Sequence, residues 1–354
     1  MLRQYGVLKG AALIHQRFGF SSSWFALATP FPAQTISGLT MLIVFGHLLA
    51  LLRRIYQGVR TGMPESGQHS YRSRPADRFI VIAYLLAIPY LVMGNGLANS
   101  LSPDLPVAIG VIIFCWWILA TGNSSRQRLS LMILALGLFA VKLSTLPLVL
   151  IAILNFLILS PLSWRRWLAT GLLAILVSGP VLTVNILTSG CPLYPSGAGC
   201  LEQLPWSYSS AEAERLRQLS TNYARTEGRS AEIDPQGAWI IDWMIDDFTG
   251  SLTSMAFLTL VSVAAILLLL ILYPRLEMRS EDRLVFTIGA VGLVYVLAMA
   301  PSLRFGIGYA VIIPSLILSR LNWKSSVLVP MIGSAVVLLT PFTELEHRKV
   351  RLAI

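Results

Sequence analysis

Long apolar runs separated by short polar stretches dominate the chain. Runs at 35–52, 79–98, 105–121, 167–187, 253–273 and 284–300 approach or reach the roughly 20 residues a helix needs to cross a bilayer. Two further runs, 308–319 and 327–342, are shorter. At about 1.5 Å per residue the stretch 129–160 is too long for one crossing. It is interrupted by "VKLSTLP" (141–147), whose proline removes a donor and disfavours helical geometry in the residue before it. We read it as two short helices, 129–141 and 146–159, with Lys142 at the turn between them. The pattern therefore predicts an all-α integral membrane protein of about ten transmembrane helices with one large, partly helical external loop. The expected divisions are an external interfacial segment (1–34), helices 1–6 (35–187), the external loop (188–252), helices 7–10 (253–342) and a tail (343–354).

Composition agrees: 55% of residues are hydrophobic and 12% charged, against roughly 25% charged in soluble domains. The net charge of +10 does not point to nucleic acid, because no basic stripe interleaved with aromatics is present. It points to basic loops facing the cytoplasm. "GNSSRQR" (122–128) and "SPLSWRRW" (160–167) are short and basic, which requires an even number of crossings between them. The segment 53–78 holds six arginines against two acids, and 274–283 and 320–324 are also basic. The loop 188–251 holds nine acids against four arginines and is expected outside, with both chain ends. The basic tail "EHRKVRLAI" conflicts with that parity. No cleavable signal peptide is read, since the first long apolar run starts near Thr35.

An external loop lies in an oxidising compartment, so Cys191 and Cys200 in "SGCPLYPSGAGC" can form a disulfide. Free thiols are the alternative; a zinc pair lacks ligands, since the outer histidines His15 and His347 are far away in sequence. Cys115 reads as a small buried hydrophobe. Ser209 and Glu212 have capping-box spacing, and Leu216, Leu219 and Tyr223 recur at helical spacing after them. In "AWIIDWMIDDF" (238–248) the tryptophans suit a membrane-surface helix. Its Asp242, Asp246 and Asp247 are candidates for a divalent cation, or are solvated acids on its wet side.

Charges near membrane depth are functional candidates by default. Lys142 meets a phosphate or snorkels to the interface. Arg304, in "PSLRFGIGY", ends a helix at the outer surface and binds there or anchors to headgroups. Asp104, in "LSPDLP", N-caps a helix or carries chemistry. Residues 7–18 form an interfacial helix with Val7, Leu8, Ala11, Ile14 and Phe18 on one side, leaving His15 and Arg17 toward the outer surface. Nucleotide-binding loops, nucleophile elbows and zincin motifs are absent, as is an inverted repeat of the transporter kind.

The stretches "GAALIHQRFGFSSSWFALA", "SPDLP", "VKLSTLP", "SGCPLYPS" and "PSLRFGIGY" occur in one order over most of the chain. They resemble a family of large, uncharacterised bacterial polytopic membrane proteins, itself similar to GT-C class glycosyltransferases and O-antigen polymerases. That resemblance implies residence in the bacterial inner membrane with the large loop periplasmic, and a polyprenyl-phosphate-linked sugar as donor. It assigns Lys142 and Arg304 to the donor phosphate and places Tyr194 and Trp206 over the acceptor. The family has further N-terminal helices, and GT-C enzymes carry the catalytic carboxylate in their first outer loop. This implies a fragment, or a second chain supplying the missing helices, with Asp104 as the remaining candidate carboxylate. The competing expectations are a non-catalytic membrane component that binds a lipid-linked glycan, and a solute transporter.

Overall fold

The computed structural model describes residues 8–19, 22–24, 47, 70–93, 102–122, 124–159, 163–226, 239–250, 255–272 and 278–320. The predicted span 327–342 and the tail 343–354 lie outside them, as does the span 35–52 apart from His47.

All regular structure among the described residues is helical, as the pattern predicts. A single turn, α1 (Ala11–Ile14), is followed by a 3-10 turn, Gln16–Gly19. Then come α2 (Ser70–Met93), α3 (Asp104–Thr121), α4 (Ser125–Val141), a 3-10 turn at Leu143–Thr145, α5 (Leu146–Leu159) and α6 (Trp164–Ser189). The disulfide segment leads to α7 (Ser210–Thr226), α8 (Trp239–Gly250), α9 (Met255–Leu272), α10 (Ser280–Met299), α11 (Leu303–Ala310) and α12 (Ile312–Arg320). Three described helices are long and apolar enough to cross a membrane: Asp104–Thr121, Trp167–Ser189 and Ser280–Met299.

Local chemistry sets the ends. The Ser124 amide donates to Gln127 Oε1 (2.9 Å), while Gln127 Nε2 reaches back to the Thr121 carbonyl (2.8 Å), joining the end of α3 to the start of α4. Lys142 stops α4 by turning extended (φ −160°, ψ 133°). Gly190 ends α6 in the left-handed region (φ 77°), which glycine enters without penalty.

The core forms where α2 and α3 pair and the α11–α12 run lies against them. The expected span 308–319 is corrected here: the run is longer, Leu303 to Arg320, and broken at Val311. Pro314 lacks the amide hydrogen that would satisfy the Ala310 carbonyl four residues earlier. The Ser262 hydroxyl of α9 donates to that carbonyl instead (2.8 Å). Small residues bring α10 and α3 close to this run. A Cβ on Gly292 would overlap the Tyr309 ring, and one on Gly308 would lie 3.0 Å from the Ala108 Cα.

Within the expected helix 7–18, the described residues 8–18 do not form one continuous helix. Gly10 (φ 67°) opens α1 and the extended His15 closes it one turn later. Tertiary bonds take over: the Gly10 amide donates to the Leu187 carbonyl (2.9 Å). The Ala12 and Gln16 carbonyls accept from Tyr208 and Tyr194 (2.7 and 3.1 Å).

Candidate functional site

One end of the bundle gathers most of the residues singled out in the sequence. Here α3 begins, α4 turns into α5, α10 ends, α11 begins, and α6 runs into the disulfide segment. Asp104 is the first residue of α3 and is buried. It is not the helix N-cap, as expected, because that position belongs to Pro103. One carboxylate oxygen is ion-paired with the Lys142 ammonium, and the other accepts from the Ser102 hydroxyl (2.6 Å). The two residues therefore form a unit across the α4–α5 turn. That turn is held by the Thr145 hydroxyl on the Lys142 carbonyl (2.9 Å) and by Tyr309, whose hydroxyl donates to the Ser144 carbonyl (3.2 Å).

Phe305, which the sequence reading missed, joins this unit to Arg304. The Lys142 ammonium lies 3.8 Å and the Arg304 guanidinium carbon 4.6 Å from the centre of its ring. Arg304 starts α11 rather than ending a helix, and it is exposed. Its neighbour Phe305 carried no signal beyond adjacency, because one aromatic in an apolar run is ordinary. Asp104 has both oxygens engaged inside the protein, so it orients Lys142. The exposed Arg304 guanidinium lies on the same ring, and a guanidinium is a group that can stabilise an oxyanion.

The second group is a cap formed by the segment after α6. Cys191 and Cys200 are joined by a disulfide (S–S 2.05 Å). Tyr194 is buried, stacks on Tyr208 (centroids 5.9 Å apart) and lies against Gly19. It is thus committed to the protein interior, not open above an acceptor as expected. Trp206 donates to the Ile186 carbonyl (3.2 Å), packs on Gly10 and carries the Lys9 ammonium 5.2 Å from its ring. Burial, and then the neighbouring Tyr208, push the Tyr194 hydroxyl up; burial and then Glu212 do the same for Tyr208. Both stay protonated as donors to the N-terminal segment.

His15 is exposed at the end of α1. Arg17 lies in the following turn, its side chain outside those described. The N-terminal segment also reaches the first group, since the Ser22 hydroxyl donates to the Val141 carbonyl (2.5 Å). The side chains of Asp242, Asp246 and Asp247 lie outside those described, and no cluster able to hold a metal ion occurs among the described residues.

No curated protein and no solved structure matches the chain. A family model described as "Domain of unknown function (DUF8201)" matches residues 1–311, and the chain belongs to that family.

Proposed function

We propose that this is a multi-pass membrane protein of glycosyl transfer or cell-surface polysaccharide assembly. It uses a polyprenyl-phosphate-linked sugar whose phosphate binds beside Lys142 and Arg304. The observation that carries the reading is the shared Phe305 ring, which holds one anchored and one exposed cation at the same end of the bundle. A phosphate leaving group gains charge as its bond to the sugar breaks, and fixed cations are most effective against charge that develops there. The disulfide cap on the end of α6 suits the periplasmic side of a bacterial inner membrane.

Membrane residence is supported by the outward faces as well as by helix length. Ile158 is 75% exposed, Leu176 73% and Ile175 70%. Apolar faces of that extent match lipid. Transport is less favoured because, among the described residues, the ion pairs of the apolar helices, Lys142–Asp104 and Arg320–Asp282, sit at helix ends and not at mid-depth.

Arg304→Ala is the decisive variant, since it removes the exposed guanidinium and leaves the Lys142–Asp104 pair in place. At matched protein abundance in the membrane, polysaccharide output in cells is expected to fall at least about tenfold, toward the 10²–10³ typical of losing one charge-stabilising donor. Unchanged output would remove the assignment of the phosphate to this cluster. A second reading, a non-catalytic component that binds a lipid-linked glycan, is favoured by the engagement of both Asp104 oxygens. Purified protein that binds the lipid-linked sugar but transfers nothing would select it.

A further inference from the structure

The amphipathic helix α7 lies over the C-terminal end of α10 and leaves a cavity of about 250 Å³ between them. Arg217, Thr221 and Arg225 line it at intervals of four residues, one stripe of the helix, with Gln218 and Asn222 beside them. The Arg225 guanidinium is fixed from two sides. Its Nη2 donates to the Ala298 carbonyl (2.9 Å), and its carbon lies 4.1 Å from the centre of the Trp239 ring. Its Nε–H is buried without a hydrogen-bond partner. Arg225 makes no ion pair among the described residues. Arg217 forks onto Glu214 through Nε and Nη2, while Nη1 approaches the Met299 sulfur (3.9 Å).

Two guanidiniums therefore line one polar cleft, and the one carboxylate paired with them, Glu214, lies outside its lining. A buried donor left unmade is unfavourable in a protein interior, and like charges in one cleft repel. Burial, and then the charge of Arg217, hold Arg225 below its ordinary value. A tetrahedral oxyanion in the cleft would offset this repulsion, with the Thr221 hydroxyl as a neutral donor beside the two guanidiniums.

We propose that the cleft between α7 and the end of α10 binds a phosphate-type oxyanion between Arg217 and Arg225. The site is separate from the Lys142 cluster and does not rest on the function proposed for it. The phosphate belongs either to a lipid headgroup, since Met299 ends a helix long and apolar enough to cross a membrane, or to a soluble molecule.

The test uses the full chain in phosphatidylcholine nanodiscs. One arm titrates inorganic phosphate by calorimetry; the other counts bound phosphatidylglycerol by native mass spectrometry after doping the discs with it. Arg225→Gln and Arg217→Gln are each expected to weaken the occupied arm at least tenfold, while Arg215→Gln, on the exposed side of the same helix, leaves it unchanged. Phosphate binding identifies a soluble ligand, and lipid retention alone identifies a headgroup. Arg217→Gln keeps the bond from Arg225 to Ala298, so it decides the matter if Arg225→Gln fails to fold; Arg215, exposed on the same helix and outside the cleft, supplies the charge-matched control. The proposal is overturned if the unaltered protein binds neither probe, or if the folded variants bind like it.

Discussion

Lys142 and Asp104 show what a single residue discloses in one dimension and what it conceals. Each stands out as a charge beside an apolar run, and each has an ordinary explanation taken alone. Their pairing spans 38 positions, which no local pattern encodes. Asp104 is only 4% exposed and the Lys142 side chain 19%, so the pair is desolvated and removal of one partner strands the other. Lys142→Met is expected to lower stability by about 3–5 kcal/mol, read by thermal unfolding in detergent. The double substitution Lys142→Met, Asp104→Leu should recover most of that loss, because no buried charge remains. Equal losses in the single and double variants would show that the two residues do not act as a pair. Tyr194 makes the converse point. The family resemblance places it over an acceptor, yet Gly19 lets the N-terminal segment close against its ring.

At the scale of the element, chemistry within a few residues was largely legible. The turn at Lys142, the start of α5 at Leu146 and the reciprocal Ser209–Glu212 bonds that open α7 all follow from local signals. Elements decided by distant partners were not legible. The N-terminal apolar spacing suits a helix, but tyrosine hydroxyls and the end of α6 take its backbone groups. Likewise, the α11–α12 run persists through Pro314 because α9 supplies a hydroxyl. Ser262→Ala is therefore expected to cost about 1–3 kcal/mol, the penalty of a buried carbonyl left unsatisfied, measured by chemical or thermal unfolding. Adding Pro314→Ala restores a backbone donor to Ala310, so the double variant should lose less than Ser262→Ala alone. A strictly additive result would count against this account of the break.

For the whole molecule, the question is what covers the outward apolar faces. Leu168, Leu172, Ile175 and Leu176 lie exposed on α6, while the same helix carries the cap on its C-terminal end. In lipid, Leu176→Lys places a charge near the middle of a span, at a cost of about 2.5–3.5 kcal/mol. The amount recovered in the membrane fraction should fall accordingly. On a water-exposed face the same substitution would be neutral or would improve solubility, so undiminished recovery would argue against bilayer residence of α6.

Apolar runs, prolines, glycines and short polar caps determined by themselves that the described residues are helical, where most of those helices begin and end, and which charges were worth following. These signals act over one or two turns, the range of backbone hydrogen bonds and steric preference. The tertiary structure alone decided that Asp104 belongs to Lys142, that Phe305 links Lys142 to Arg304, and that two arginines of α7 share a cleft at the end of α10. Those outcomes depend on desolvation and on contacts between residues far apart in the chain, and neither exists until the helices have packed.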